Sequence, residues 1–239
     1  MLATTEGDRP IVISREAWLL DLGRRAYREV WELQKALVDR RAEERITDGL
    51  ILVEHDPVAT LGRRGKPEDV LDPDLEVVAV ERGGEATYHG PGQLVGYPIL
   101  KFPEQLEVKL LVRDLEEVLL RTCSDFGIDA TREGPERGVW LGTKKIASIG
   151  LAIHRKVTFH GFALNVTTDL KEFLKIRPCG HDGGIMTSME KALGHPVELE
   201  DVKASVIAHF QAVFFLTLRR VNISELLPEP PTKRRPRRV

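Results

Sequence analysis

Residues 138–166 read GVWLGTKKIASIGLAIHRKVTFHGFALNV, and this stretch decides the fold class. It divides into three apolar-rich segments, 138–142, 145–155 and 156–166, parted by polar or basic junctions too short to hold a helix. Segments of that length, rich in β-branched and aromatic residues, read as successive strands joined by tight turns. Working outward, QLVGYPIL (93–100), EVVAV (76–80) and GLILVEH (49–55) read as further strands. Residues 24–45 place Ala26, Val30, Leu33 and Leu37 at roughly helical spacing with charges opposite. Residues 107–126 do the same, and Gly127 is placed to end that helix. Asp169 is expected to cap a short helix carrying Leu170, Phe173 and Leu174. Thr187, with Glu190 three positions on, is expected to form a capping box, and residues 197–219 read as mostly helical. Strands and helices interleave without strict alternation. That order predicts a mixed-sheet α/β domain, not a doubly wound parallel one.

Composition excludes several function classes. A net charge of −2 over 239 residues points to no nucleic-acid partner for the body of the protein. The N-terminal MLATTEGDRPIVIS lacks the basic and apolar regions of a signal peptide, and the apolar run AVFFL is far too short to cross a bilayer. Two cysteines without a CxxC or zinc spacing fit a reducing cytoplasm. Residues 1–220 read as one domain. The final LPEPPTKRRPRRV, with five Lys/Arg between 233 and 238, makes 221–239 a proline-rich basic tail expected to stay solvated and flexible.

The two cysteines differ in surroundings. Cys123 lies among Leu119, Leu120 and Phe126 on the helix at 107–126 and reads as a small buried hydrophobe. Cys179 stands in IRPCGHDGG (176–184), between a proline and a glycine, where loops carry ligands and catalytic groups. A thiol there needs a partner to become a thiolate, and the candidates are Lys145, His181, His89 and His160. Lys145 opens a strand, where an apolar cleft would turn its amine into a usable base. Cys179, His181 and Asp182 match no usual metal-ligand spacing, so no metal is expected. Residues 82–97, RGGEATYHGPGQLVGY, carry five glycines just before and within a strand, which permits close approach of backbone to a ligand. Neither this run nor GRRGKP (62–67) has the spacing of a Walker loop.

EHDPVATLGRR (54–64), RGGEATYHGPGQLVGYPIL (82–100), KIASIG (145–150), FHGFALNV (159–166) and PCG (178–180) stand together in an order that resembles the lipoyl(octanoyl) transferases, over roughly residues 18–200. The resemblance implies the fold of lipoate and biotin protein ligases, a mixed sheet flanked by helices in a single catalytic domain. It also implies transfer of an octanoyl group from octanoyl-acyl carrier protein to a lysine of the lipoyl domains of 2-oxoacid dehydrogenases and of the glycine cleavage H protein. Carried over, Cys179 is the acyl carrier and Lys145 the base. The acyl pocket is expected at Arg82, Gly83, Gly84, Glu85, Ala86, Thr87, Tyr88 and His89, with Ser148, Ile149, Gly150, Gly161, Phe162 and Ala163. No cofactor is implied beyond the phosphopantetheine on the carrier protein, no membrane partner is expected, and the chain is expected to act as a monomer. Two departures stand out. His181 and Asp182 follow PCG where many members have an apolar residue, and HDPVATLGRR lacks an aromatic residue before its threonine, a difference expected to affect packing. The rival readings are an ATP-dependent lipoate ligase, which carries HDxGN where this chain has HGPGQ and needs no PCG cysteine, and a non-catalytic lipoyl-domain-binding relative.

Overall fold

Strand β2, Gly49–His55, runs through the middle of the protein with its residues alternating between two cores. Leu50 and Leu52 enter one apolar cluster and Ile51 and Val53 the other, the period-two separation that a doubly covered sheet requires. The computed structural model describes residues 14–102, 108–178 and 183–228. Around β2 lie β1 (Arg15–Arg25), β6 (Gln93–Ile99), β7 (Gly138–Leu141), β8 (Lys144–His154), β9 (Val157–Asn165) and β10 (Leu216–Arg220). They form a seven-stranded sheet in the order β10-β1-β2-β6-β9-β8-β7. The β10–β1 and β1–β2 pairs are parallel and the rest antiparallel, so the sheet is mixed, as expected. A smaller sheet, β4-β3-β5, combines Val77–Ala79, Val58–Leu61 and Ala86–His89.

Helix α1 (Tyr27–Ala42) covers one face of the large sheet through Val30, Leu37 and Val38. Helices α2 (Val108–Asp125) and α4 (Leu199–Phe214) cover the other, where Leu115, Val118, Val206 and Phe210 meet Leu50, Leu94 and Leu164. The three-strand reading of 138–166 matches β7, β8 and β9. Between the last two, Arg155 and Lys156 turn at φ 50° and 65°, the sign that a two-residue type I′ hairpin demands.

Several expectations need correction. The helix expected at 24–45 is α1, shorter at both ends, because Arg24 and Arg25 pair with Glu54 and His55 as the end of β1. The helix expected over 197–219 stops at Phe214. Phe215 adopts φ 53°, and the chain then joins the sheet as β10. The cap of the short helix α3 (Met189–Leu193) is Ser188, whose hydroxyl accepts from Lys191 N–H, and not Thr187. Asp169 does cap its segment, accepting from Lys171 N–H, but the turns are 3-10 in form. Beyond residue 220, α5 (Ile223–Leu226) still places Leu226 in the core, while residues 229–239 of the basic tail lie outside the described residues. Among the described residues no helix is long and apolar enough to cross a membrane.

Candidate active site

Where Gly150, Gly161 and Ala163 stand in place of larger residues, the large sheet does not close against the small sheet. A cavity of about 320 Å³ opens between them. Val95, Ser148 and Ala163 stand side by side on β6, β8 and β9 and form part of its wall. Gly161 keeps the strands close, since a Cβ there would overlap Gly96 O of the neighbouring strand. Residues 82–84 cross the cavity, held by Gly83 N–H donating to Leu151 O at 2.9 Å. Arg82 is buried, and its guanidinium donates to Thr60 O at 2.7 Å and Thr60 Oγ1 at 2.8 Å, so it fastens the small sheet to this loop.

Of the sequence-predicted pocket, Arg82, Gly83, Gly84, Ala86, Thr87, His89, Ser148, Ile149, Gly150, Gly161, Phe162 and Ala163 all line the cavity. Glu85 and Tyr88 do not. Glu85 faces Arg64 at 3.4 Å. Tyr88, one residue out of phase with Thr87 and His89 on β5, packs edge-on against Phe173 with ring centroids 5.4 Å apart. Ala59, the residue before the threonine where an aromatic was expected, lies in that same cluster with Tyr88 and Phe173, a packing position.

Lys145 also lines the cavity, with only 5 % of its surface exposed. Its Nζ lies 3.5 Å from Glu136 Oε2 and 5.3 Å from the centroid of the Trp140 ring. Its carbonyl accepts from Thr187 N–H at 2.9 Å, and Met186 bridges beside it. On the other side Pro178 bridges Ala86 and lines the cavity. Pro178 and Met186, on either side of the residues that are not described, thus both line the cavity that holds Lys145. Cys179 and His181, the candidate nucleophile and a candidate base, lie outside the described residues. Cys123 is fully buried, and burial pushes its thiol up to about 12, which fits an inert core residue.

Three buried histidines gather with Tyr27 and Tyr97, and two of them, His89 and His160, line the cavity. His89 Nδ1 meets Gln93 Oε1 at 2.7 Å. The Gln93 amide donates to Tyr88 O and Asn165 Oδ1, so its oxygen accepts and His89 Nδ1–H donates. Asn165 continues the chain by donating to Thr187 O at 2.9 Å. His55 Nδ1 faces Arg25 O at 3.0 Å, which leaves Nε2 to accept from Tyr97 O–H at 2.8 Å. Burial pushes His55 down to about 4, and burial with the nearby Arg82 charge does the same to His160. His89 is held well below its ordinary value by burial and then by His55. All three are neutral near pH 7. His89 and His160 are thus polar walls wired into the scaffold.

Tyr27, Tyr97, Glu136, Arg137, Trp140 and Met186 also line the cavity and were not singled out from sequence. Tyr97 and Trp140 sit inside strands that read as core, and Glu136 sits in a charged loop without a motif.

Comparison with known proteins agrees with this geometry. Residues 26–211 match the lipoyl protein ligase A/B catalytic domain family. The octanoyltransferase of Syntrophotalea carbinolica is 45 % identical over 207 residues, covering 86 % of this chain and 98 % of that protein. That of Geobacter metallireducens is 44 % identical over 211 residues, covering 88 % and 98 %. Among solved structures, a lipoate-protein ligase A bound with ATP superposes with a TM-score of 0.69 at 16 % identity, covering 89 % of this chain and 92 % of that one. The bipartite lipoate protein ligase of Thermoplasma acidophilum gives 0.68 at 18 % identity, covering 89 % and 90 %. At such identities these two speak for the fold alone. With the family matched across the sheet, the cavity and Lys145, this chain belongs to the lipoyl protein ligase A/B catalytic domain family and, within it, groups with the octanoyltransferases.

Proposed function

We propose that the chain moves an octanoyl group from octanoyl-acyl carrier protein to a lysine of a lipoyl domain, through a thioester on Cys179 with Lys145 as the proton carrier. The observation that carries this reading is the buried Lys145 amine at a cavity whose rim is formed by Pro178, the residue before Cys179. Lys145 takes the Cys179 thiol proton, and the thiolate attacks the octanoyl carbonyl. The carrier's phosphopantetheine sulfur leaves and recovers that proton. The octanoyl-enzyme is then attacked by the neutral amine of the acceptor lysine, which loses a proton to Lys145 as the C–N bond forms and the C–S bond breaks. Cys179 leaves as a thiolate and is reprotonated. The first exchange trades one thioester for another, and amide formation drives the second. The donor is already activated, so the reaction as proposed calls for no ATP, metal or further cofactor.

The acyl chain is assigned to the space beside Val95, Ile149, Leu151 and Ala163, where each buried methylene contributes about 0.8 kcal/mol. The acceptors in this reading are lipoyl domains of 2-oxoacid dehydrogenases and the glycine cleavage H protein, and the protein works as a monomer in the cytoplasm. The test is intact-mass spectrometry after mixing the full chain with octanoyl-acyl carrier protein without ATP. One octanoyl adduct is expected. It should map to Cys179, be absent from Cys179→Ser, and be discharged by an added lipoyl domain. An adduct on Cys123, or turnover only with ATP and free octanoate, would remove the assignment, the second outcome in favour of a ligase.

A further inference from the structure

Glu136 is the one carboxylate among the described residues that line the cavity. Its surroundings are built rather than incidental. Trp140 Nε1–H donates to Glu136 O at 3.0 Å, and Gly134 sits flat against the same indole, where a Cβ would overlap the ring. Helix α2 fixes both ends of the loop. Glu117 accepts from Arg132 at 2.6 Å and Glu116 accepts from Gly138 N–H at 3.2 Å. Gly138 in turn brings Lys145 in: a Cβ there would lie 2.7 Å from Lys145 Cε. The loop backbone is clamped, and the Glu136 side chain, a quarter exposed, reaches Lys145 Nζ at 3.5 Å.

The other ionised side chains of the cavity wall carry the opposite sign to Glu136. Arg64, Arg82 and Arg137 line the same cavity. From β5, β9, α1 and β6 come His89, His160, Tyr27 and Tyr97, each neutral at pH 7. Lys144, next along β8, is turned away to Gly184 O at 2.6 Å. Glu116 faces the loop backbone and Arg132. Cys179, His181 and Asp182 lie outside the described residues. A carboxylate 3.5 Å from an amine attracts it most strongly when the amine carries a proton.

We propose that Glu136 is a positioning residue for acyl transfer: it orients Lys145 Nζ and stabilises the ammonium that forms each time Lys145 takes a proton, exchanging no proton itself. The proposal rests on the octanoyl-transfer reading. It is tested by measuring kcat and KM for octanoyl-acyl carrier protein across the pH range with the full chain and with Glu136→Gln and Glu136→Asp. Glu136→Gln is expected to lower kcat about tenfold with KM within about twofold, and to move the acid limb of the kcat profile down by about one pH unit. Glu136→Asp, which keeps the charge, should restore the original limb and part of kcat. A Glu136→Gln profile superimposable on the parent would overturn the role. So would a rise in KM with the limb unmoved, which would make Glu136 a docking contact instead. If the parent itself forms no Cys179 adduct, the transfer mechanism fails first and this role with it.

Discussion

The two faces of the central sheet are built from the same strands and are packed differently. On β9, Phe162 and Leu164 belong to the core closed by α2 and α4, whose members include Leu115, Val118 and Phe210. Ala163, between them, belongs to the core on the α1 side, and it lines the cavity together with Phe162 and with Val112 of α2, so the cavity reaches both cores. Of the buried histidines, His55 shares the face of Ile51 and Val53, and His89 and His160 line the cavity. Under α4 the sheet meets dry packing. The cavity is a lined slot whose polar groups are tied to backbone and amide partners. Small residues at neighbouring positions of β8 and β9 leave this slot beside a core that the same strands pack tightly.

The strongest way to break this comparison is on the filled face. Leu115 is fully buried between α2 and the sheet. Leu115→Ala leaves a cavity that no neighbour fills and is expected to lower stability by about 2–5 kcal/mol. In a thermal melt that is a fall in Tm of about 5–15 °C for a chain of this size. At low temperature, octanoyl transfer per folded molecule should stay within about twofold of the parent. A large loss of kcat with an unchanged melt would show that the two faces are coupled.

This division was only partly legible in the sequence. Strands β2, β6, β8 and β9 are contiguous apolar runs between polar junctions, so composition alone betrays them. Strand β1 hides because its charged ends, Arg15, Glu16, Arg24 and Arg25, merge with those of α1, although Trp18, Leu19 and Leu20 are buried between β10 and β2. Strand β10 hides because a phenylalanine, not a glycine, takes the left-handed turn that ends α4. Strands β3 and β5 are four residues each, too short for a period to register. Along the cavity, Lys145 and the glycine runs are motif residues, and the motifs mark them in the sequence. Tyr27 and Glu136 reach the cavity only through the packing of α1 and of the Trp140 loop, and no local pattern marks them.

The open face predicts a pH effect of middle size. His55 sits near pKa 4 when folded and near 6.5 when exposed. A lowered histidine value means the unfolded chain binds the extra proton more readily. The stability it withholds is therefore intact above about pH 6.5 and is lost as pH falls toward 4. By pH 5 the loss from His55 alone is about 2 kcal/mol, and His89 and His160 act in the same direction. Urea midpoints at pH 7.5 and pH 5 should differ accordingly, and His55→Gln should flatten the difference even if it lowers both values. Equal midpoints for the parent would mean that the histidines on this side are hydrated, not buried.

The smallest effect is the most selective. Ala163 stands between Val95 and Ser148 on the cavity wall and is nearly fully buried. Ala163→Val adds two methyl groups into the slot on the face that Ala163 shares with Val95 and Ser148, away from Leu164. An octanoyl chain then loses room that a hexanoyl chain does not use. The ratio of kcat/KM for octanoyl over hexanoyl carrier protein should fall by about tenfold, the worth of two methylenes at about 0.8 kcal/mol each. The melt should stay within a few degrees of the parent, because the added volume enters a cavity rather than a packed interior. A uniform loss for both chain lengths would place the acyl chain elsewhere. An unchanged ratio with a lowered Tm would show that Ala163 is ordinary core, and that the open face is closed by packing at this point.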